Sequence, residues 1–170
     1  EWEVMRRDVA LCRQVGCDGV VIGALDANGN VDVAGCAMLM AEAGGMGVTF
    51  HRAFDCVSDR RTALQQVIAL GCERILTSGG ADSAPQGAAR IAEDVAQASG
   101  RLALMAGAGV TAGNVTVLVQ ATGVRDVHAS GKTLYPGQGR AGPVGLEAHF
   151  WRTSAAVIHE IRQQLTRDFP

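Results

Sequence analysis

Gly71-Cys72-Glu73-Arg74-Ile75-Leu76 has two counterparts along the chain, Gly16-Cys17-Asp18-Gly19-Val20-Val21 upstream and Gly123-Val124-Arg125-Asp126-Val127-His128 downstream. In each, a glycine follows a helical pattern, where the left-handed end of a helix favours it. The next residues then enter a short apolar run. Two further runs, Val48-Thr49-Phe50-His51 and Leu102-Ala103-Leu104-Met105, lie between the counterparts. Together with Gly19-Val20-Val21-Ile22, Arg74-Ile75-Leu76-Thr77 and Asp126-Val127-His128-Ala129 they make five predicted strands. Each is apolar on both faces, as suits parallel strands buried under helices. Equivalent positions Val20, Val48, Ile75, Leu102 and Val127 are spaced 28, 27, 27 and 25 residues apart.

Helical patterns fill the intervals. They run from about Val33 to Ala43, then through Ala63, Leu64, Val67 and Ile68, then Ile91, Val95 and Ala98, then Val115, Leu118 and Val119. Val4, Met5, Val9 and Cys12 repeat at helical spacing before the first strand, and Ile158, Ile161 and Leu165 after the last. Asp59 and Ser83 are the expected N-caps of the second and third intervening helices. Strand and helix alternating at this period imply repeated βα units on a parallel sheet. The predicted fold is therefore an α/β (β/α)8 TIM barrel, which takes about 250 residues in eight units. Only five units are visible, so residues 1–170 are expected to form a single domain, the C-terminal part of a barrel that lacks its N-terminal units. The amphipathic opening Glu1-Trp2-Glu3-Val4-Met5 agrees with a start inside a domain. A five-stranded flavodoxin-like sheet is the alternative. Five strands leave two free edges that a closed barrel lacks, so a homodimer is the expected association.

With 48% hydrophobic and 19% charged residues, the chain has material for a sizeable core and is not intrinsically disordered. A net charge of -2 gives no basic surplus, so no nucleic-acid partner is expected. No apolar run approaches the roughly 18–20 residues that span a bilayer, and no signal peptide opens the chain, so no membrane partner is expected. Five scattered cysteines, none in a C-x-x-C pair, read as reduced thiols of a cytoplasmic protein. Apart from Cys56, they are expected to be small buried hydrophobes.

Ligands of parallel α/β folds bind at the carboxyl ends of the strands. Thr49-Phe50-His51-Arg52-Ala53-Phe54-Asp55 ends the second strand. Alternation sets His51 on the face opposite Phe50, toward the mouth, with Arg52 and Asp55 beside it. Thr77, Ser78 and Gly79 end the third strand, and Gly107, Gly109 and Asn114 follow the fourth. Both loops can turn backbone N–H groups toward an anion. His128 and Ser130 end the fifth, on one face, so His51 and His128 are expected to meet across the mouth. Two histidines, Arg52 and Asp55 suit acid–base work on an anion, and imidazoles also bind metals. The alternative is an Arg52–Asp55 ion pair beside structural histidines. His159 is expected on a solvated helix face. His149 is grouped with the Gly-rich stretch from Gly131 to Gly145, a long loop read as a lid or a disordered segment.

At Thr49-Phe50-His51-Arg52-Ala53-Phe54-Asp55 the chain resembles the CutC family of copper homeostasis proteins. Gly19-Val20-Val21-Ile22-Gly23, Gly29-Asn30-Val31-Asp32, Arg74-Ile75-Leu76-Thr77-Ser78-Gly79, Met105-Ala106-Gly107-Ala108-Gly109-Val110 with Asn114, and His128-Ala129-Ser130 match that family in order and spacing. The resemblance implies a (β/α)8 barrel whose first strands are absent here. It also implies copper binding, yet the cysteines proposed as family copper ligands belong to those first strands. Cys56, directly after Asp55, is the thiol expected nearest the mouth, and soft thiolates suit Cu(I). The chain departs from the family pattern at Ala108, where a third glycine is common. Three functions follow as expectations: cytoplasmic copper binding or handling, a TIM-barrel enzyme acting on a small phosphorylated or carboxylated metabolite, or a truncated barrel with a structural role.

Overall fold

The computed structural model describes residues 1–136 and 149–168. Helix α1 (Trp2–Gln14) leads into strand β1 (Gly19–Ile22), and the alternation continues with α2 (Val33–Ala43), β2 (Gly47–Phe50) and a 3-10 turn over Arg52–Cys56. It runs on through α3 (Arg60–Ala69), β3 (Arg74–Thr77), α4 (Ala88–Ala98), β4 (Ala103–Gly107), α5 (Val115–Thr122) and β5 (Asp126–His128). All five predicted strands are present, β1 and β3 with the expected bounds and the other three offset by a residue or two at their ends.

The five strands form one parallel sheet in the order β1-β2-β3-β4-β5. This sequential order is that of a (β/α)8 barrel wall. A flavodoxin-like sheet would place β1 between β2 and β3, so that alternative is excluded. The helices follow the same order, α1 beside α2, and α3, α4, α5 and α6 (Ala155–Asp168) each beside the next. They cover one face of the sheet. On it Ile22, Phe50, Ile75 and Leu104 are buried, and register pairs Ile22 with Phe50, Phe50 with Ile75, and Ile75 with Leu104. Leu39, Leu64, Ile91 and Leu118 meet them from the helices. On the opposite face Val21 is 64% exposed although its strand neighbours are packed. This is the face that a closed barrel turns inward.

Local chemistry explains the boundaries. Asp59 caps α3 as expected, accepting from the Thr62 N–H at 3.1 Å. Ser83 does not cap α4. That helix begins later, after Gly87, and the Ser83 hydroxyl instead donates to Gln86 Oε1 at 3.1 Å. The stretch read as a lid contains structure that was not anticipated: β6 (Lys132–Pro136) pairs antiparallel with β7 (His149–Thr153). His149 lies in β7 and is exposed, with residues 137–148 outside the described residues. Tyr135 stacks on Phe150 across the hairpin at 6.0 Å.

Candidate functional site

The carboxyl ends of β2 and β3 are joined by one carboxylate. Asp55, whose side chain is 6% exposed, accepts from the Thr77 hydroxyl at 2.5 Å, the Ser78 N–H at 2.9 Å, the Ser78 hydroxyl at 2.9 Å and the Gly80 N–H at 2.9 Å. Arg52 Nε donates to the same carboxylate at 2.9 Å, and its Nη2 to Ser78 Oγ at 2.7 Å. Burial pushes the Asp55 carboxyl up, but the donors from Thr77, Ser78, Arg52 and Gly80 outweigh it and hold the group at about 2. The N–H groups of Ser78 and Gly80 thus converge on a carboxylate of the protein itself. Thr77 and Ser78 are fully buried, and their hydroxyls and the Ser78 N–H are directed to Asp55, which positions this loop.

Two residues outside the expected set complete the network. Arg60 clamps Asp94 through Nε at 2.9 Å and Nη2 at 2.7 Å, and Nη2 also donates to Thr77 Oγ1 at 2.7 Å. Its guanidinium lies 4.3 Å from the Phe54 ring centroid. Burial raises the Asp94 carboxyl against the pull of Arg60. Nothing local in the sequence marks this pair, which is 34 residues apart and sits on two helices. Beneath it Gly79 (φ +74) presses on Gly87. A Cβ on Gly79 would run into the Gly87 carbonyl, and one on Gly87 into the Ser78 carbonyl.

His51 does not meet His128. It ends β2 and caps the 3-10 turn, its Nδ1 accepting from the Ala53 N–H at 3.1 Å. Its ring lies over Gly23, where a Cβ would come within 2.5 Å of Nδ1. His128, at the end of β5, instead lines a cavity of about 530 Å3 with Arg52, Gly109, Ser130, Lys132 and Trp151. No carboxylate is among the described residues that line it. Lys132 Nζ sits 4.5 Å from the Trp151 ring centroid, so the unanticipated hairpin supplies both a cation and an aromatic wall. Gly107 is buried within β4, where a Cβ would strike Leu76 Cδ1 at 2.5 Å. Asn114 pins the loop after β4, donating to the Gly109 carbonyl and accepting from the Thr111 N–H, both at 2.9 Å. Ala108 holds φ +77 in that loop.

The residues expected at the mouth do not fit a metal. Asp55 and His51 Nδ1 are occupied internally, Cys56 is exposed, and no three His, Cys, Asp or Glu converge among the described residues. Cys36 and Cys72 are buried as expected, and burial, with Cys36 adding to it, pushes the Cys72 thiol up to about 11. Cys17 is exposed, contrary to the expectation of a buried hydrophobe. Among the described residues no helix is long and apolar enough to cross a membrane.

The CutC family model matches residues 1–133. The CutC family protein of Xylella fastidiosa (strain Temecula1) is 55% identical over 134 residues, covering 79% of this chain and 50% of the relative. That of Xanthomonas campestris pv. campestris (strain B100) is 50% identical over 177 residues, covering 97% of this chain and 70% of the relative. The chain thus spans about half the length of the Xylella relatives. The crystal structure of CutC from Streptococcus agalactiae superposes with a TM-score of 0.72 at 31% identity, over 75% of this chain and 62% of that one. The solved "Native KDPGal structure" superposes with a TM-score of 0.57 at 18% identity, covering 95% of this chain and 66% of that one, a likeness of fold alone. The family model covers more than half of the chain and relatives about 50% identical agree with it: the chain belongs to the CutC family.

Proposed function

We propose that the chain binds a small anionic molecule, phosphorylated or carboxylated, at the carboxyl ends of β4 and β5. One observation carries this: Arg52, His128 and Lys132 converge on a cavity of about 530 Å3 with no carboxylate among its described lining residues. Charge-assisted hydrogen bonds to phosphate or carboxylate are the strong kind. The volume lies within the usual range of small-molecule sites, roughly 300–1,000 Å3. Trp151 offers an apolar wall for the remainder of the ligand. By analogy of fold, barrels of this kind hold phosphate groups in the loops after their last strands. For an enzyme, His128 is the lining group suited to moving a proton at the bound molecule. Titration with inorganic phosphate and a panel of phosphorylated and carboxylated metabolites, read by thermal shift, tests this. Stabilisation that falls at least tenfold in apparent affinity in His128→Ala and Lys132→Ala supports it, and no stabilisation by any member of the panel overturns it.

The Streptococcus agalactiae neighbour is provisionally named a copper homeostasis protein, and that name favours a second reading, cytoplasmic copper handling with copper as cargo. The mouth residues supply no ligand set for it, so on this reading the metal binds elsewhere in the chain. Anaerobic Cu(I) titration against a competing chelator is the test, and absence of competition by the reduced chain rejects copper handling for it.

A further inference from the structure

The β6–β7 hairpin turns one of its faces to the mouth cavity. Register pairs Leu134 with Trp151, and residues directly opposite in an antiparallel pair share a face. Lys132, two residues before Leu134, lies on that face by strand alternation. Lys132 and Trp151 both line the cavity. On the other face Tyr135 and Phe150 stack on each other, their rings 6.0 Å apart and 21° from parallel. The cavity-side pair stays open instead: Leu134 is 47% and Trp151 59% exposed. The Lys132 ammonium lies over the Trp151 ring, 4.5 Å from its centroid. The hairpin is fixed at its base. The Ser154 N–H donates to the Gly131 carbonyl at 2.9 Å, and the Thr153 hydroxyl to the Ser130 carbonyl at 3.1 Å. Ile158 of α6 packs so closely on Gly131 that a Cβ there would run into its Cδ1. Across the cavity, Arg52 commits Nε to Asp55 and Nη2 to Ser78, and its Nη1 bonds nothing among the described residues.

We propose that the mouth cavity takes a phosphate ester of a planar aromatic ring, with the phosphate between Arg52, His128 and Lys132 and the ring stacked on Trp151 beside Leu134. The phosphate rests on the anion reading above, and the ring rests on the hairpin. A dianionic phosphate matches the two fixed cations Arg52 and Lys132 in charge, where a carboxylate matches one. Binding draws Lys132 from the indole to the phosphate, and the ligand's ring takes the place that the ammonium leaves. One side chain thereby couples the two halves of the ligand: the indole face opens when the phosphate is present. Stacked aromatic pairs gain roughly two- to twelvefold in affinity beyond what their buried area gives. A saturated ring of the same size gains the burial and not the stacking, because it has no π face. Leu134 and Trp151 lie beyond residue 133, where the family match ends, so this half of the site belongs to the hairpin and not to the matched barrel units.

The experiment is isothermal titration of the chain with inorganic phosphate, cyclohexyl phosphate and phenyl phosphate. Phenyl phosphate is expected to bind about fivefold more tightly than cyclohexyl phosphate, and both more tightly than inorganic phosphate. Trp151→Ala removes the preference for the phenyl over the cyclohexyl ester without weakening inorganic phosphate. Trp151→Phe, with a smaller π face, keeps part of that preference, and Leu134→Ala weakens both esters, with circular dichroism confirming that every variant folds. Phenyl phosphate that binds no more tightly than cyclohexyl phosphate overturns the aromatic class, while binding of inorganic phosphate leaves the anion site standing. A phenyl preference that persists in Trp151→Ala overturns the stacking on Trp151. No binding of any of the three overturns both the ring and the anion site.

Discussion

Arg60 and Asp94, on neighbouring helices α3 and α4, face each other with Nη2 to Oδ2 at 2.7 Å and side chains only 15% and 4% exposed. Removing one partner of such a pair leaves a buried charge without compensation, at about 3–5 kcal/mol. Arg60→Ala and Asp94→Ala should each lose stability on that scale in urea unfolding. The double variant Arg60→Met/Asp94→Leu should lose much less than the sum of the two single losses. Additive losses would show that the pair is not coupled.

Asp55 gives the stability a definite pH dependence. Its carboxyl is held at about 2 in the folded chain, below its ordinary 3.8, so the folded state favours the ionised form. The stabilisation is present above the unfolded value and is lost as pH falls from roughly 5 toward 2, amounting to about 2 kcal/mol. Urea midpoints measured across that window should fall steeply. In Asp55→Asn the part of the slope due to this group should vanish. The same variant should lose about 2–4 kcal/mol at neutral pH, because an amide cannot accept all the donors that converge on the carboxylate.

Ala108 occupies φ +77, where a Cβ costs about 1–2 kcal/mol. Glycine relieves that strain but adds about 0.5–1 kcal/mol of unfolded-state entropy. Ala108→Gly should therefore stabilise the chain by about 0.5–1 kcal/mol, whereas Ala108→Val should destabilise it. Thermal denaturation of the two variants checks both signs, and an Ala108→Gly midpoint below that of the parent would contradict the strain argument.

Trp151 and Lys132 line the cavity together, and the chain has only one other tryptophan, Trp2, on α1. Phosphate entering the cavity should draw Lys132 from the ring and change Trp151 emission. The change should disappear in Trp151→Phe and shrink in Lys132→Ala. Arg52→Ala should weaken the phosphate response and also loosen the Asp55 loop, whereas Lys132→Ala should leave stability within about 0.5 kcal/mol of the parent.

The sheet was legible because its signal is periodic and local: apolar runs, glycine-ended helices and a constant interval. That period also favoured the barrel order later seen in the pairings of Val20 with Val48 and Ile75 with Leu104. The site was legible only as a list of residue types. Arg52 and His128 do reach one cavity, but Asp55, Thr77 and Ser78 turned out to satisfy one another, because the sequence does not say which anion a ring of N–H groups will meet. Arg60, Asp94, Lys132 and Trp151 carry no local signature. Their roles come from contacts between distant helices or from a hairpin whose strands lie in a glycine-bearing stretch without clean alternation.

The close approach of Gly79 and Gly87 binds two positions into one unit of heredity. Neither tolerates another side chain while the opposing backbone stays in place, and changing both at once brings two new carbons into space that holds none. A single substitution at either glycine therefore forces the opposing backbone to move.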